Sequence, residues 1–316
     1  MPLRLVMMGT GTFAVPTFLK LYESDHEVVG LFTQPDRTGR GHHRHRNPLK
    51  EAAIEHDTPV FQPQSAKTPE AIADLRSLDA DLCVVAAYGQ ILSAELLAVP
   101  RLGAINLHGS LLPKYRGAAP VQYAVWHGEA ETGITIFQIE PKLDAGAMLG
   151  VVSAPIGNKE TSGQLMERLG DLAVDITLNI VNQLSEGTAQ PLLQNADEVT
   201  LAPMLKKSDG LIDWTQTASR IECQIRAMQP WPKAYTFLKQ GEQTKRLIVL
   251  DADPVDLPSD CLPGDVIQAD AKTAVVQTGN GALELKTIQP EGKRPLKVSE
   301  YQCGQAITTR AKFVND

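Results

Sequence analysis

Short apolar runs and helix-like patterns alternate through the first two hundred residues of this chain. Residues 3–8, 26–32, 82–87 and 103–106 are apolar runs bounded by turn residues, as buried strands are. Between and after them, amphipathic patterns predict helices, several of which open with a proline suited to the first helical turn. The predicted helices cover 16–23, 48–56, 69–78, 120–127 and 162–184. This alternation favours an α/β fold with a mainly parallel, Rossmann-like sheet and helices on both faces.

The pattern changes near residue 190, and the last part of the chain is different in character. Brief β-like runs there are separated by glycine and proline turns, which is typical of a small β-barrel. These runs lie at 234–238, 246–250, 265–268, 273–277 and 282–287. We therefore expect a first domain at 1–189, a linker at 190–207 and a second domain at 208–316.

Composition excludes several classes of protein. With 316 residues, 43% of them hydrophobic and 21% charged, the chain has the composition of an ordinary globular protein. No apolar run approaches the roughly 20 residues that span a bilayer, and the first residues do not have the pattern of a secretory leader. The four cysteines are far apart without metal-binding spacing, so a cytoplasmic protein is expected. The net charge of −7 argues against a protein that coats nucleic acid.

Residues 1–205 are acidic, with 15 Lys+Arg against 23 Asp+Glu, and a basic segment, DRTGRGHHRHR at 36–46, interrupts them. It is either a solvated surface loop or a flexible arm that binds anions, and the forked guanidinium groups favour phosphate binding. The arginines are Arg37, Arg40, Arg44 and Arg46. Three histidines lie among them, but they lack helical ligand spacing and nearby cysteines, so no metal is expected.

A glycine pair follows the first predicted strand. Gly9-Thr10-Gly11 resembles the start of a dinucleotide-binding fingerprint, with Ala14 in place of the third glycine. The acidic residue expected at the end of the second strand is missing, since that strand ends Phe32-Thr33-Gln34. A tight strand-to-helix turn near a ligand is therefore favoured over nucleotide binding.

Polar residues at alternate positions follow the apolar run at 103–105. Asn106, His108 and Ser110 would point to one face of an extended strand. Polar groups at the carboxyl end of such a strand lie where open α/β sheets place their active sites. With Asp144 on a later loop, an amide, an imidazole and a carboxylate suffice for acyl transfer without a metal. The alternative is an ordinary buried strand end with satisfied polar groups.

Several motifs resemble the folate-dependent formyltransferases. Asn-x-His and Ser-Leu-Leu-Pro occur within NLHGSLLPKYRG at 106–117, and Asp-x-Gly occurs within LDAGAML at 143–149. Further segments resemble the members of this family that act on methionyl-tRNA, and they occur in both predicted domains, so that the resemblance runs over essentially the whole chain. They are VFQP at 60–63, VVAAYGQIL at 84–92, LKKSDGLIDW at 205–214 and IRAMQPWPKAYT at 225–236.

The resemblance implies transfer of a formyl group from 10-formyltetrahydrofolate to the α-amine of methionyl initiator tRNA, without a metal and with tetrahydrofolate as the second product. It implies that Asn106, His108 and Asp144 are catalytic, with Thr135 near the aspartate. It also implies an OB-like second domain. The implied folate-binding residues are Tyr88, Gly89, Gln90, Ile91, Leu92, Ser110, Leu111, Leu112 and Pro113.

The same resemblance implies that tRNA contacts both the basic segment and the second domain of a monomeric protein. The implied contacts are Arg37, Arg40, Arg44, Arg46, Lys206 and Lys207. Trp231, between two prolines, could stack on RNA, but a core position is favoured. Two alternatives stay open: a formyltransferase that acts on a sugar-nucleotide amine, and a folate- or RNA-binding protein without catalysis.

Overall fold

The structure is a computed structural model that describes residues 1–36, 46–257 and 259–315. Its internal contacts divide the chain into two units. The first unit contains Met1–Pro120, Glu131–Pro155 and Met166–Pro203. The second unit contains Val121–Ala130, Ile156–Leu165 and Met204–Asp316.

A seven-stranded sheet forms the centre of the first unit in the described part of the chain. Its strands are β1 (Arg4–Gly9), β2 (Glu27–Phe32), β3 (Val60–Phe61), β4 (Leu82–Ala86), β5 (Ala104–His108), β6 (Glu131–Gln138) and β7 (Met148–Pro155). They are arranged in the order β3-β2-β1-β4-β5-β6-β7. The pairs among β1 to β5 are parallel, whereas β6 is antiparallel to β5 and β7 to β6. The mainly parallel sheet predicted from the sequence is confirmed.

Helices connect or follow these strands, and polar side chains cap the first turns of three of them. They are α1 (Val15–Tyr22), α2 (Pro48–Glu55), α3 (Pro69–Ser77), α4 (Ala94–Leu97), α5 (Pro120–Trp126) and α6 (Ser162–Glu186). The side chains of Asn47, Thr68 and Ser93 accept hydrogen bonds from backbone N–H groups in the first turns of α2, α3 and α4. These bonds satisfy donors that a helix start otherwise leaves unpaired. None of the helices described is both long and apolar enough to cross a membrane.

Both faces of the sheet are covered. Val6 and Met8 of β1 pack in one core cluster with Leu75 of α3. Leu5 and Met7, which point to the opposite face, are also almost fully buried. The helix α6 approaches the turn after β1, where a Cβ at its Gly170 would lie 2.8 Å from the Phe13 carbonyl oxygen.

An antiparallel, nearly closed sheet forms the centre of the second unit. The main helices and strands of this unit are α7 (Ala218–Ala227), β8 (Ala234–Gln240), β9 (Gln243–Val255), β10 (Val266–Ala269), β11 (Ala274–Gln277), β12 (Ala282–Pro290), β13 (Leu296–Lys297), α8 (Val298–Gly304) and β14 (Lys312–Val314). The main strand order is β10-β11-β12-β9-β8-β14, and a bridge between Asp265 and Lys312 joins its two ends. The OB-like barrel expected from the resemblance is confirmed as a fold class.

Trp214, rather than Trp231, is the core tryptophan of the second unit. Its ring lies 5.3 Å from that of Phe313, and its Nε1–H donates to Thr236 Oγ1 at 2.9 Å. Trp231 is 51% exposed, so the core position favoured from the sequence is wrong. The residue lies in the turn after α7, where the prolines on both sides keep the chain outside the sheet.

The buried face of α6 predicts a large effect on stability. Replacing Leu169, which is 0% exposed, by alanine should lower the free energy of unfolding by about 2–5 kcal/mol, because a cavity replaces packed methyl groups. Asn179→Ala, on the exposed face of the same helix, should change it little. Urea titration followed by circular dichroism measures both variants, and equal losses would contradict this packing.

Candidate active site

The polar strand end predicted from the sequence lies within the sheet of the first unit. β5 is paired with β4 on one side and with β6 on the other. Asn106 lies opposite Val85 and Phe137, and His108 lies opposite Thr135. Since Asn106 and His108 are two positions apart on one strand, their side chains project from the same face. The ends of β1 and β4 lie beside them, at the edge where open α/β sheets bind ligands.

One hydrogen bond determines which nitrogen of His108 can act as a base. The imidazole is buried, with 4% of its side chain exposed, and Nε2 lies 2.9 Å from the carbonyl oxygen of Tyr115. A carbonyl oxygen can only accept, so Nε2 carries the hydrogen. In the neutral ring the lone pair is therefore on Nδ1, which lies 3.8 Å from Asp144 Oδ2. Nδ1 is the nitrogen that can take a proton.

The environment of His108 favours the neutral ring. Burial lowers the pKa of His108 below its ordinary value of 6.5, since a charged imidazolium is poorly solvated there. The negative charge of Asp144 and the hydrogen bond to Tyr115 raise the pKa, but their combined effect is smaller. At pH 7 the imidazole is therefore mostly neutral and able to accept a proton.

The amide of Asn106 is available to a ligand. The residue is partly buried, yet within the described ranges its side chain makes no hydrogen bond to the protein. Polar groups in protein interiors are usually hydrogen-bonded. The two N–H donors of Asn106 can therefore be used by a bound molecule on the face of β5 that also presents His108.

The loop between β6 and β7 brings Asp144 to His108. Asp144 has a φ of +43°, which is uncommon for a residue other than glycine. Its Oδ2 accepts a hydrogen bond from the backbone N–H of Gly117 at 2.7 Å. Gly117 has a φ of +130°, and a Cβ there would lie 2.5 Å from the carbonyl oxygen of Ala202. A glycine is therefore required at the position that holds the carboxylate.

The turn after β5 is stabilised by its own polar groups. Ser110, which is fully buried, donates its hydroxyl hydrogen to the carbonyl of Lys114 at 2.7 Å. Thr135, which lies opposite His108 on β6, donates to the Ser110 carbonyl at 2.7 Å and accepts from Leu112 N at 3.1 Å. These bonds fix the shape of the turn.

The apolar residues of this turn differ in their exposure. Leu112 and Pro113 are buried, whereas Leu111 is partly exposed. Leu111 is therefore the apolar side chain of the turn that can contact a ligand.

The loop after β4 contains the other predicted folate residues. Tyr88 and Leu92 are buried in the core cluster beneath the sheet, with 2% and 9% of their surfaces exposed. Burial raises the pKa of Tyr88 to about 12. Gly89 is exposed, Gln90 is partly buried and Ile91 is 72% exposed. The loop therefore offers a ligand its backbone at Gly89 and the side chain of Ile91, while Tyr88 and Leu92 anchor it.

Two side-chain amides hold this loop in place. Gln90 accepts from the backbone N–H of Ala66 and donates to the carbonyl of Pro63 at 3.0 Å. Gln34, which follows β2, donates to the carbonyl of Tyr88 at 2.9 Å. Gln90 is thus a structural residue of the loop, which leaves less of its side chain for a ligand than the sequence suggested.

The predicted RNA contacts fall in different parts of the chain. Arg37, Arg40 and Arg44 lie outside the described residues. The side chain of Arg46 is 85% exposed and forms an ion pair with Glu51 at 2.8 Å. Lys206 and Lys207, in the second unit, are also exposed.

Three contributors to the site were not predicted from the sequence. They are the carbonyl of Tyr115, the N–H of Gly117 and the side chain of Gln194, which donates to the carbonyl of Asp144 at 2.9 Å. Tyr115 and Gly117 lie within the KYRG segment. Its position shortly after the polar strand end is the feature of the sequence that could have indicated their role. Gln194 lies in the stretch assigned to a linker, where nothing in the sequence indicated a role.

Within residues 1–36, 46–257 and 259–315, no group of three or more His, Cys, Asp and Glu side chains could hold a metal ion. The three histidines of the basic segment lie outside these ranges.

Comparison with known proteins gives matches over nearly the whole chain. Methionyl-tRNA formyltransferase of Pseudoalteromonas translucida (strain TAC 125) is 39% identical over 306 residues, which cover 96% of this chain and 95% of that protein. Methionyl-tRNA formyltransferase of Hydrogenovibrio crunogenus (strain DSM 25203 / XCL-2) is 39% identical over 308 residues, covering 97% of each chain.

A solved structure shows the same fold. The N-formyltransferase from Helicobacter canadensis in complex with folinic acid and dTDP-3-aminofucose superposes with a TM-score of 0.65 at 15% identity. The match covers 90% of this chain and 98% of that one.

Family models agree with these individual matches. The formyl transferase model matches residues 3–181, and the model of the formyl transferase C-terminal domain matches residues 204–306. The chain therefore belongs to the formyl transferase family.

Proposed function

We propose that this chain transfers the formyl group of 10-formyltetrahydrofolate to the α-amino group of methionyl initiator tRNA, which yields N-formylmethionyl-tRNA and tetrahydrofolate. The observation that carries the proposal is the arrangement on β5, where the free Nδ1 of a neutral His108 lies beside Asp144 and the unbonded amide of Asn106 projects from the same face. Both relatives that are 39% identical over nearly the full length bear the name of this activity.

His108 acts as the base in this mechanism. The α-amine of an amino acid titrates near about 7.7–8.0, so much of it is protonated at neutral pH and cannot attack. The neutral form of the amine attacks, and Nδ1 of His108 accepts the proton that its nitrogen loses as it bonds to the formyl carbon. The carbonyl of Tyr115 holds Nε2–H throughout, so the ring keeps one orientation.

Asn106 and Asp144 stabilise the charges that develop. Attack on the formyl carbon leaves a tetrahedral centre with a negative oxygen, to which the Asn106 amide donates. A single donor of this kind is typically worth about 2.7–4 kcal/mol of barrier. The Asp144 carboxylate stabilises the imidazolium that His108 has become. The C–N bond to the folate then breaks, and the folate nitrogen receives the proton that His108 releases.

The exposure of the residues at this edge of the sheet supports the proposed formyl donor. The exposed backbone at Gly89 can hydrogen-bond the edge of the pterin ring, while Ile91 and Leu111 cover its apolar face. Tyr88, Gln90 and Leu92 support the loop from below, and Ser110, Leu112 and Pro113 shape the turn after β5. The reaction needs no metal, because Asn106 supplies the stabilisation of the oxyanion.

The basic residues are proposed to bind the phosphates of the acceptor RNA. They are Arg37, Arg40, Arg44 and Arg46 in the first unit, with Lys206 and Lys207 in the second. Guanidinium and ammonium groups position an RNA backbone without reading its bases. The protein is proposed to work as a monomer in the cytoplasm, where translation takes place.

The second candidate is formyl transfer to a sugar-nucleotide amine. It is supported by the fold shared with the Helicobacter canadensis enzyme, which was crystallised with an amino-sugar nucleotide. That likeness is at 15% identity, whereas the methionyl-tRNA relatives are 39% identical. A folate- or RNA-binding protein without catalysis is disfavoured by the assembled Asn106, His108 and Asp144.

The choice of acceptor can be tested directly. With 10-formyltetrahydrofolate as donor, the purified protein should formylate methionyl initiator tRNA and leave dTDP-3-aminofucose essentially unmodified. The reason is that the basic residues of the protein suit the phosphates of RNA. Acid-stable formyl-methionine and mass spectrometry of the nucleotide report the two products. Preferential formylation of the sugar nucleotide would support the second candidate, and formylation of neither acceptor would support a non-catalytic binder.

The catalytic assignment predicts losses of turnover without losses of folding. Asn106→Ala should lower kcat about 10²–10³-fold, as removal of an oxyanion donor does. His108→Ala should lower it about 10²–10⁴-fold, the usual effect of a general base. Single-turnover formylation of methionyl-tRNA measures both. Glu140→Gln, an exposed change in the same loop as Asp144, is the control and should behave as wild type. Turnover near the wild-type rate in either catalytic variant would refute the assignment.

The surroundings of His108 predict the pH range in which its imidazole becomes protonated. Its imidazole should become protonated only below about pH 6.5, the ordinary value for histidine, because burial disfavours the charged ring. In Asp144→Asn the midpoint should move lower still, since the charge that stabilises the imidazolium is gone. NMR of the ring C–H signals measures this without interference from the substrate amine, and His108→Gln assigns the signal. A midpoint above pH 6.5, or an upward shift in Asp144→Asn, would contradict the described environment.

A further inference from the structure

We propose that Gln194 is a positioning residue for formyl transfer, which holds the loop that carries Asp144 against the segment that carries Tyr115 and Gly117. The inference rests on the proposed catalytic role of Asp144. It adds a residue from the stretch after α6 to a site otherwise built from β5 and the β6–β7 loop.

All the hydrogen-bonding capacity of the Gln194 amide is used at this point. Its Nε2 donates to the carbonyl oxygens of Asp144 at 2.9 Å and of Gly146 at 2.8 Å. Its Oε1 accepts from Nε and Nη2 of Arg116 at 3.1 and 2.7 Å. One carboxamide therefore joins two loops by four bonds, which matches its two donors and two lone pairs.

The Asp144 loop needs such support because its backbone is constrained. Asp144 has a φ of +43°, in a region that costs a residue other than glycine free energy and persists only when neighbours enforce it. At Gly146 a Cβ would collide with the carbonyl oxygen of Gln138. The two carbonyls that Gln194 binds flank this bend, so the amide acts where the loop would otherwise relax.

The hydrogen bonds between Gln194 and Arg116 connect this amide to the segment that contacts His108. Arg116 is buried, with 7% of its surface exposed, and it lies between Tyr115, whose carbonyl accepts from His108, and Gly117, whose N–H donates to Asp144. Gln194 thus links the carboxylate to the base by binding the backbone of the Asp144 loop on one side and the guanidinium of Arg116 on the other.

A second residue of the same stretch strengthens this arrangement. Thr200 Oγ1 accepts from Tyr115 N at 2.8 Å, and the Thr200 carbonyl accepts from Arg116 N at 2.9 Å. Ala202 N donates to the Arg116 carbonyl at 2.8 Å. The stretch that includes Gln194 therefore pairs with the site along its length.

The chemistry of the amide suggests a selective substitution. Gln194→Glu keeps the shape and the acceptor for Arg116 but removes the donors to Asp144 and Gly146. Gln194→Leu removes all four bonds at similar volume. Leu193→Ala, at the neighbouring position that is 82% exposed, is the matched control.

Gln194→Glu should lower kcat by about 10²-fold, the effect of misplacing a catalytic group by about 1 Å. The KM for 10-formyltetrahydrofolate should stay near wild type, because none of the four hydrogen bonds of this amide goes to the loop after β4, which is proposed to bind the folate. Gln194→Leu should lose at least as much, and Leu193→Ala should lose nothing. Wild-type kcat in Gln194→Glu would overturn the proposal.

A double-mutant cycle separates positioning from a general loss of structure. In an Asp144→Asn background, Gln194→Glu should cause little further loss of kcat, because the carboxylate that it positions is already gone. An equal fold-loss in both backgrounds would show independent effects and overturn the proposal. If Asp144→Asn itself turned over at the wild-type rate, the proposed mechanism would fail and this inference with it. If Asp144→Asn were impaired while Gln194→Glu were normal, only this inference would fail.

Discussion

The hydrogen bond from Nε2–H of His108 to the carbonyl of Tyr115 is the contact on which the site depends. It selects one tautomer of a buried imidazole and leaves the lone pair on the nitrogen that lies 3.8 Å from Asp144. Burial keeps this ring mostly neutral near pH 7, so the bond and the burial together leave Nδ1 able to accept a proton. Without the fixed carbonyl, the ring could turn and present either nitrogen.

Unusual backbone conformations surround this contact. Tyr115, Gly117 and Asp144 all have positive φ angles, of 63°, 130° and 43°. Such conformations cost free energy and are retained where neighbouring structure enforces them, often at functional sites. Here the neighbours are Thr200 and Gln194, which belong to a stretch without helix or strand periodicity. A stretch that looks like a connection in sequence is thus part of the first unit.

Local patterns explain how much of the fold could be predicted. The helix predicted at 162–184 is found as Ser162–Glu186, because its apolar residues recur at helical spacing. The strand β7 (Met148–Pro155) was not predicted from the sequence. It lies at the edge of the sheet, and its more buried and more exposed residues alternate without forming a clear polar face. The role of Trp231 was misjudged because size and apolarity indicate a core residue unless neighbouring prolines place it in an exposed turn.

The sequence by itself determined the α/β class, the order of the main elements and the residue types of the site, since these follow from periodicity and from motifs that are continuous in the chain. Only the tertiary structure decided which groups meet. It joined His108 to the Tyr115 carbonyl, Asp144 to the Gly117 N–H and Gln194 to the Asp144 loop. It also showed Tyr88 and Leu92 to be core residues. Contacts between distant residues depend on how loops pack after the sheet has formed, and no local pattern encodes that packing.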